Sequence, residues 1–312
     1  MKAWQYIANN QPIALKEVEE PVAAPGEVVL DVRAAGICHT DVSFLDGTMS
    51  DYLARSPLTL GHEIAGVVCE VGDGVDGITI GDRVAIRADP RGPGCGRDGG
   101  FQPRVAVQAE FVVAVPDAVP WDQAAVSTDA GGTAYRAVMH RGAVKANDKV
   151  GIIGFGGLGS LGAQIAQLAG ASVYAAETNL GLHAAILDSG ASAVSTDIRD
   201  FDRAELDVIV DFAGFGTTTA AAIEAVRPGG RVIQVGLAKR TGPVDLVTLT
   251  MKEVELFGSM GGSNDDNMRV LELMAKGKLH CRTVQIRFEE IGESISRLQR
   301  GGVVGRFVAI YD

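Results

Sequence analysis

Long apolar runs, paired cysteines and excess basic charge are all scarce in this chain of 312 residues. No uninterrupted apolar stretch reaches ~18 residues, so no segment reads as a membrane span. The first residues lack a basic stretch followed by an apolar one, which argues against a signal peptide. The four cysteines, Cys38, Cys69, Cys95 and Cys281, are scattered without a C-x-x-C pair, and their density is too low for a disulfide scaffold. A soluble protein of a reducing compartment, the cytoplasm, is expected. Lys and Arg number 28 against 39 Asp and Glu, a net charge of −11, which disfavours a nucleic-acid groove or an anionic membrane as partner. Aromatics are few (5%), whereas glycine is abundant, at 40 residues. That balance suits a turn-rich α/β or α+β protein, and the length suits about two domains.

The most informative stretch is Lys149-Val-Gly-Ile-Ile-Gly154-Phe-Gly156-Gly-Leu-Gly159. Val150 to Ile153 reads as a buried strand. Gly154, Gly156 and Gly159 follow as G-x-G-x-x-G, and Leu158, Leu161, Ile165 and Leu168 then recur at helical spacing until Gly170. Strand, glycine turn and helix in that order form the phosphate-binding start of a dinucleotide fold, with the helix N-terminus facing the pyrophosphate. Gly157 and Leu158 belong to the same backbone cradle. A second strand, Ser172 to Ala176, ends at Glu177, 18 residues after Gly159, where a carboxylate can bind the adenosine ribose. Glu177 would repel a 2′-phosphate, and Thr178 and Asn179 supply no cation to receive one. NAD is therefore the expected cofactor.

Around this core the chain divides in character. Residues 1 to about 128 are rich in short β candidates: Gly26–Arg33, Ile64–Val71, Asp82–Ile86 and Ala109–Val115. Turn residues separate them, as in a small antiparallel barrel or sandwich. The region of Pro90, Pro93, Gly99, Gly100 and Pro103 reads as a loop without periodicity. From about 130 strands alternate with helices. Val208–Phe212 and Arg231–Gly236 are strands, an alanine-rich helix spans Thr217 to Val226 with a stop at Pro228-Gly-Gly230, and Val254–Gly258 is a further strand candidate. This alternation is the signature of a parallel, doubly wound sheet. Two amphipathic helices, around Met268–Met274 and Ile291–Leu298, and a strand, Arg306–Ile310, close the sequence. Periodicity leaves open which domain this tail joins.

Cys38 and His62 stand out for chemistry, because thiolate and imidazole are preferred zinc ligands and a catalytic zinc keeps one position open. Their separation in sequence leaves two readings, a shared metal or a buried thiol and a structural histidine. The wider pattern resembles the zinc-dependent alcohol dehydrogenases of the medium-chain dehydrogenase/reductase family. The matching stretches are Gly36-Ile-Cys-His-Thr-Asp41, Gly61-His-Glu-Ile-Ala-Gly66, Val71-Gly72, Gly81-Asp-Arg-Val84, Thr128-Asp-Ala-Gly-Gly-Thr-Ala-Tyr135, the glycine turn and Gly305-Arg-Phe-Val308.

The resemblance implies a GroES-like catalytic domain over residues 1–129 and 263–312, and a Rossmann domain over 130–262. It implies one catalytic zinc held by Cys38, His62 and Asp129, the last replacing a cysteine common in relatives. Glu63 is then a nearby carboxylate, Asp41 orients a ligand and Thr40 takes the proton of an alcohol. Relatives that pass this proton on use a histidine where Ser43 stands here. His39 and Arg306 match positions facing the pyrophosphate or the zinc, and Thr133 matches a nicotinamide contact. By its residues alone Asp129 also fits a helix N-cap. Relatives carry four cysteines for a structural zinc, but residues 89–100 hold only Cys95, so no structural zinc is expected.

The activity implied is reversible oxidation of a primary or secondary alcohol to an aldehyde or ketone. The alternatives are a zinc-free, NADPH-dependent quinone or enoyl reductase of the same superfamily and a non-catalytic dinucleotide-binding protein. Phe44, Met49, Tyr52, Phe101 and Trp121 are candidate pocket residues for a non-ionic substrate. By the same resemblance Val254–Gly258 forms a dimer seam, and a homodimer or homotetramer is expected.

Overall fold

In the computed structural model, which describes residues 1–311, the chain forms two compact units. One comprises Met1–Gly132 with Gly261–Asp312 and the other Thr133–Met260.

The second unit is built on six parallel strands in the spatial order Ala193–Ser195, Ser172–Ala176, Lys149–Ile153, Leu206–Asp211, Val226–Gln234 and Glu255–Gly258. Numbered along the chain this is the order 3-2-1-4-5-6 of a Rossmann sheet. Val150, Ile152 and Ile153 form its centre because helices cover both faces, so residues pointing either way are buried. Each such side chain contributes about 1.5–3 kcal/mol on burial. The helix Gly157–Leu168 follows the glycine turn and buries Leu161 and Ile165, whereas Leu168 is half exposed. The alanine-rich helix, Thr217–Ala225, ends before Val226, and Pro228-Gly-Gly230 is a bulge rather than a stop. Val226 pairs with Leu206, and pairing resumes with Arg231 opposite Val208.

The first unit carries a seven-stranded sheet in the order Thr283–Arg287, Arg306–Ile310, Glu27–Gly36, Glu63–Val71, Arg83–Ile86 and Val112–Ala114, with Arg104–Gln108 also paired to Glu27–Gly36. All pairs are antiparallel except the first. The terminal strand Arg306–Ile310 thus joins this unit, beside Gly36. Five of the described strands in this unit lie outside the sequence expectations. Arg104–Gln108 was masked by its prolines and glycines, Thr283–Arg287 is too polar to show alternation, and Lys2–Tyr6 pairs with Ala14–Glu17 and Leu58–Thr59 in a small separate sheet. Phe44 and Phe101 are fully buried in the core, so neither lines an open pocket. Their apolar area is better satisfied against Leu60 and Ile64 than in a cleft. No helix among the described residues is long and apolar enough to cross a membrane.

Candidate metal and nucleotide sites

The sheet of the first unit brings together residues that are far apart in sequence. Gly36 ends one strand, and Ile37 leads straight into Cys38, which caps the short helix His39–Leu45. Opposite Gly36 in register lies Glu63, the first residue of the neighbouring strand, so His62 enters the same corner. Asp129 arrives from a helical stretch over 121–141. It lies in the π-helical segment Ser127–Gly131, with α-helix on both sides. Mid-helix placement removes the N-cap reading, and a π segment redirects a side chain where a regular turn would not, a common feature of functional sites.

The ligand atoms of Cys38, His62 and Asp129 all lie within 4.8 Å of one another. A tetrahedral zinc wants such atoms about 3.3–3.8 Å apart, given its bond lengths, so a small inward closing would suffice. His62 Nε2 faces Asp129 Oδ2 at 3.6 Å, while Nδ1 faces Asp41 Oδ1 at 3.5 Å. The imidazole thus presents one nitrogen to the cluster and the other to a carboxylate, the pairing that fixes the tautomer of a metal-bound histidine. Asp41 is itself tied down, since its Oδ2 accepts the Cys38 backbone N–H at 2.9 Å. Thr40 stands beside the thiol, with Cys38 Sγ 3.5 Å from its hydroxyl.

Charge completes the case for a cation. Asp41 and Glu63 are wholly buried, and Asp129 is 17% exposed. Arg306 is the permanent counterion, with Nε 2.7 Å from Glu63 Oε2 and Nη2 3.2 Å from Asp129 Oδ2. With every group ionised, three carboxylates and a thiolate would outnumber the one guanidinium in a low-dielectric corner, a costly state that uptake of protons or of a metal cation relieves. The groups respond accordingly. Burial works against protonating His62, yet Asp41 and Asp129 hold its pKa well above the ordinary value. Burial pushes the Glu63 carboxyl up to about 8 while Arg306 pulls it down. Burial also opposes ionisation of Asp129, but His62 and Arg306 bring its carboxyl well below the usual range. Asp41 Oδ1 and His62 Nδ1 are buried without a hydrogen bond, consistent with a corner that a bound ion would tighten. The donor set of thiolate, imidazole and carboxylate is one that zinc accepts, and it leaves a fourth position open.

His39 starts the helix after Cys38 and is exposed. Arg306 lies with the metal cluster. The remaining expected residues belong to the second unit. Thr133 is buried in the helix Gly132–Tyr135.

Gly154, Phe155 and Gly156 form the turn after strand Lys149–Ile153, and Gly157, Leu158 and Gly159 are the first three residues of the helix that follows. A Cβ on Gly159 would sit 1.8 Å from the Gly154 carbonyl oxygen, so the turn closes only with glycine there. At Gly156 such an atom would meet nothing, which leaves open space at the helix N-terminus where unpaired N–H groups attract a phosphate. Glu177 directly follows the adjacent strand Ser172–Ala176, and its Oε2 accepts the Phe155 N–H at 2.9 Å, holding the carboxylate beside the turn.

One residue was not singled out from sequence. Buried Asp211 ends strand Leu206–Asp211, its carboxylate accepting from Ala213 N, Gly214 N, Thr218 Oγ1 and Thr219 Oγ1 at 2.7–3.0 Å. It fixes the loop at the carboxyl end of the sheet, where ligands of such folds bind. A carboxylate closing an apolar strand before glycine and a threonine pair was the available signal.

The chain is similar to known proteins over its whole length. Residues 24–117 match the family model "Alcohol dehydrogenase GroES-like domain", and residues 157–276 match "Zinc-binding dehydrogenase". An alcohol dehydrogenase of Geobacillus stearothermophilus is 30% identical over 341 aligned positions, covering all of both chains. Among solved structures, acetophenone reductase from Geotrichum candidum, in complex with NAD, superposes with a TM-score of 0.91 at 29% identity, covering 99% of this chain and 97% of that one. The alcohol dehydrogenase of the hyperthermophilic archaeon Aeropyrum pernix does so with a TM-score of 0.89 at 28% identity, with full coverage of both chains.

Proposed function

The chain belongs to the alcohol dehydrogenase family, as an enzyme of alcohol–carbonyl oxidoreduction, and on that footing we propose that Cys38, His62 and Asp129 hold one zinc ion beside which a primary or secondary alcohol is oxidised to an aldehyde or ketone. The observation that carries this reading is the convergence of those three ligand atoms within 4.8 Å. When bound, zinc supplies the Lewis acidity that acidifies the substrate oxygen, and NAD supplies the hydride acceptor.

The chain's own residues do the rest. Asp41 orients His62 through Nδ1, leaving Nε2 for the metal. Arg306 pairs with both Glu63 and Asp129 and holds the two carboxyl groups in place. Thr40 takes the proton leaving the substrate hydroxyl while its own hydrogen moves on, and with Ser43 in place of a histidine the onward path runs through hydroxyl and solvent. In the nucleotide unit, the N–H groups at Gly157 to Gly159 bind the pyrophosphate and Glu177 binds the ribose. His39 and Thr133 are assigned to the cofactor.

Two further assignments complete the reading. Strand Glu255–Gly258 is the exposed edge of its sheet and presents Leu256 and Phe257, which supports a homodimer or higher homo-oligomer through this edge. Four free thiols suit a reducing compartment, and we place the protein in the cytoplasm.

The test is dialysis against a strong chelator, followed by assay with NAD and a panel of alcohols. Activity should fall to background and return with zinc. Undiminished turnover in metal-free protein would point to a zinc-free reductase, and NAD binding without any turnover to a non-catalytic protein.

A further inference from the structure

The loop over 89–101 carries a single cysteine and so lacks the thiolates of a structural zinc site, yet it is tightly built into the first unit. Its last residues lie along the segment leading into His62. Gly99 N–H bonds to the Thr59 carbonyl at 2.8 Å, Gly100 N–H to Gly61 at 2.7 Å, and Phe101 N–H to Leu60 at 3.0 Å. The Asp98 side chain adds a fourth link, its Oδ1 accepting the Thr59 N–H at 2.9 Å and its Oδ2 accepting Arg55 Nη2 at 2.5 Å. Arg97 is ion-paired to Glu27 on the central sheet, which anchors the loop from the other side. The approach is close enough to demand glycine at Gly94, whose φ is +81°. A Cβ there would lie 2.7 Å from the Gly61 carbonyl carbon and 2.8 Å from the His62 nitrogen.

We infer that Asp98 and Gly94 are positioning residues for the metal site, clamping the backbone of 59–62 so that His62 meets Cys38 and Asp129 in register. This inference rests on the proposed zinc reading. Thr59 to Gly61 lie directly before a ligand and are bonded at every residue to this one loop. A shift of the loop is therefore passed to His62 through main-chain contacts, without a flexible side chain to absorb it. Supports of this kind typically change metal affinity 10–100-fold when removed.

The test uses full-length protein loaded with zinc or cobalt, and compares wild type with Gly94→Ala, Asp98→Ala and Asp98→Asn. Metal affinity is measured by chelator competition, the cobalt site by its visible absorption bands, and folding by the cooperative melt and NAD binding. Asp98→Ala, at a half-exposed side chain, should fold, weaken zinc about 10-fold and shift the cobalt bands. Asn keeps an oxygen acceptor for the Thr59 N–H and should restore most of both. Gly94→Ala should weaken zinc further, towards 100-fold, with NAD affinity unchanged. Wild-type affinity and cobalt bands in folded Asp98→Ala would overturn the inference and leave the zinc reading intact. Wild-type protein that binds neither metal would overturn the zinc reading itself, and the inference with it.

Discussion

The two units build their sites from opposite materials. In the nucleotide unit the site is main chain: a short glycine turn, the first N–H groups of one helix, and a single carboxylate just past the next strand. In the other unit it is side chain: Cys38, His62, Asp129 and Arg306 come from four separate parts of the chain and meet in a largely buried corner. A backbone cradle costs little to preform, because glycine removes the steric obstacle and the helix supplies the donors. A corner where three carboxyl groups share one guanidinium is costly to ionise fully until a metal cation enters it. The nucleotide site should therefore tolerate loss of its ligand and of single side chains, while the metal site should not.

The largest effect should come from removing a ligand. Cys38→Ala is expected to lower kcat/KM by on the order of 10^3-fold or more, as losing a major electrostatic stabiliser does. NAD affinity, measured by fluorescence titration, should stay at the wild-type value, and a matching loss of NAD binding would break the contrast. Next comes Arg306→Met, which leaves Glu63 and Asp129 without their counterion. Removing one partner of such a buried pair typically costs about 3–5 kcal/mol. Thermal melts should show the loss in apo protein and a smaller one with zinc bound, because the metal supplies part of the missing charge.

Glu177→Ala should have a moderate effect confined to the cofactor, with KM for NAD rising about tenfold, or roughly 1.4 kcal/mol, and discrimination against the 2′-phosphate relaxing. Equal changes in kcat would argue that the carboxylate acts on chemistry instead.

The smallest effect concerns acid. Burial raises the Asp207 carboxyl, but the Lys149 N–H at 2.8 Å and Arg227 Nε at 2.8 Å outweigh it, so its pKa lies below the ordinary value. A depressed folded-state pKa contributes stability above the unfolded value, ~3.9, and loses it as pH falls through the folded one. Asp207→Asn should cost about 1 kcal/mol near neutrality, with the difference from wild type closing below about pH 4. Denaturant unfolding followed across pH checks this.

Legibility in sequence follows the same division. The dinucleotide half could be read from periodicity because its elements are contiguous: Val150 to Ile153, the glycines and the Leu161/Ile165 stripe each announce themselves within one helix or strand length. Glu177 follows at a set offset from the glycines. Nothing in the spacing of 38, 62 and 129 says that they meet. That convergence depends on the register that sets Gly36 opposite Glu63 and on a π-helical segment, neither of which leaves a local pattern. Only the resemblance of several short stretches to a family brought those residues together on paper. The same limit hid strand Arg104–Gln108, whose pairing with Glu27–Asp31 is a tertiary fact, and the clamp by Asp98, which needs Thr59 as a neighbour. Phe101 misled for the opposite reason, since an aromatic beside two glycines suits a pocket wall until the core around it is known.

The central claim is that Cys38, His62 and Asp129 share one metal ion. Anomalous diffraction at the zinc edge from crystals of the zinc-loaded enzyme tests it most directly. The expected result is one strong peak per chain, about 2.3 Å from Cys38 Sγ and about 2.0–2.2 Å from His62 Nε2 and an Asp129 oxygen. Zinc bound elsewhere, or a fully loaded protein with no peak at this corner, would contradict it.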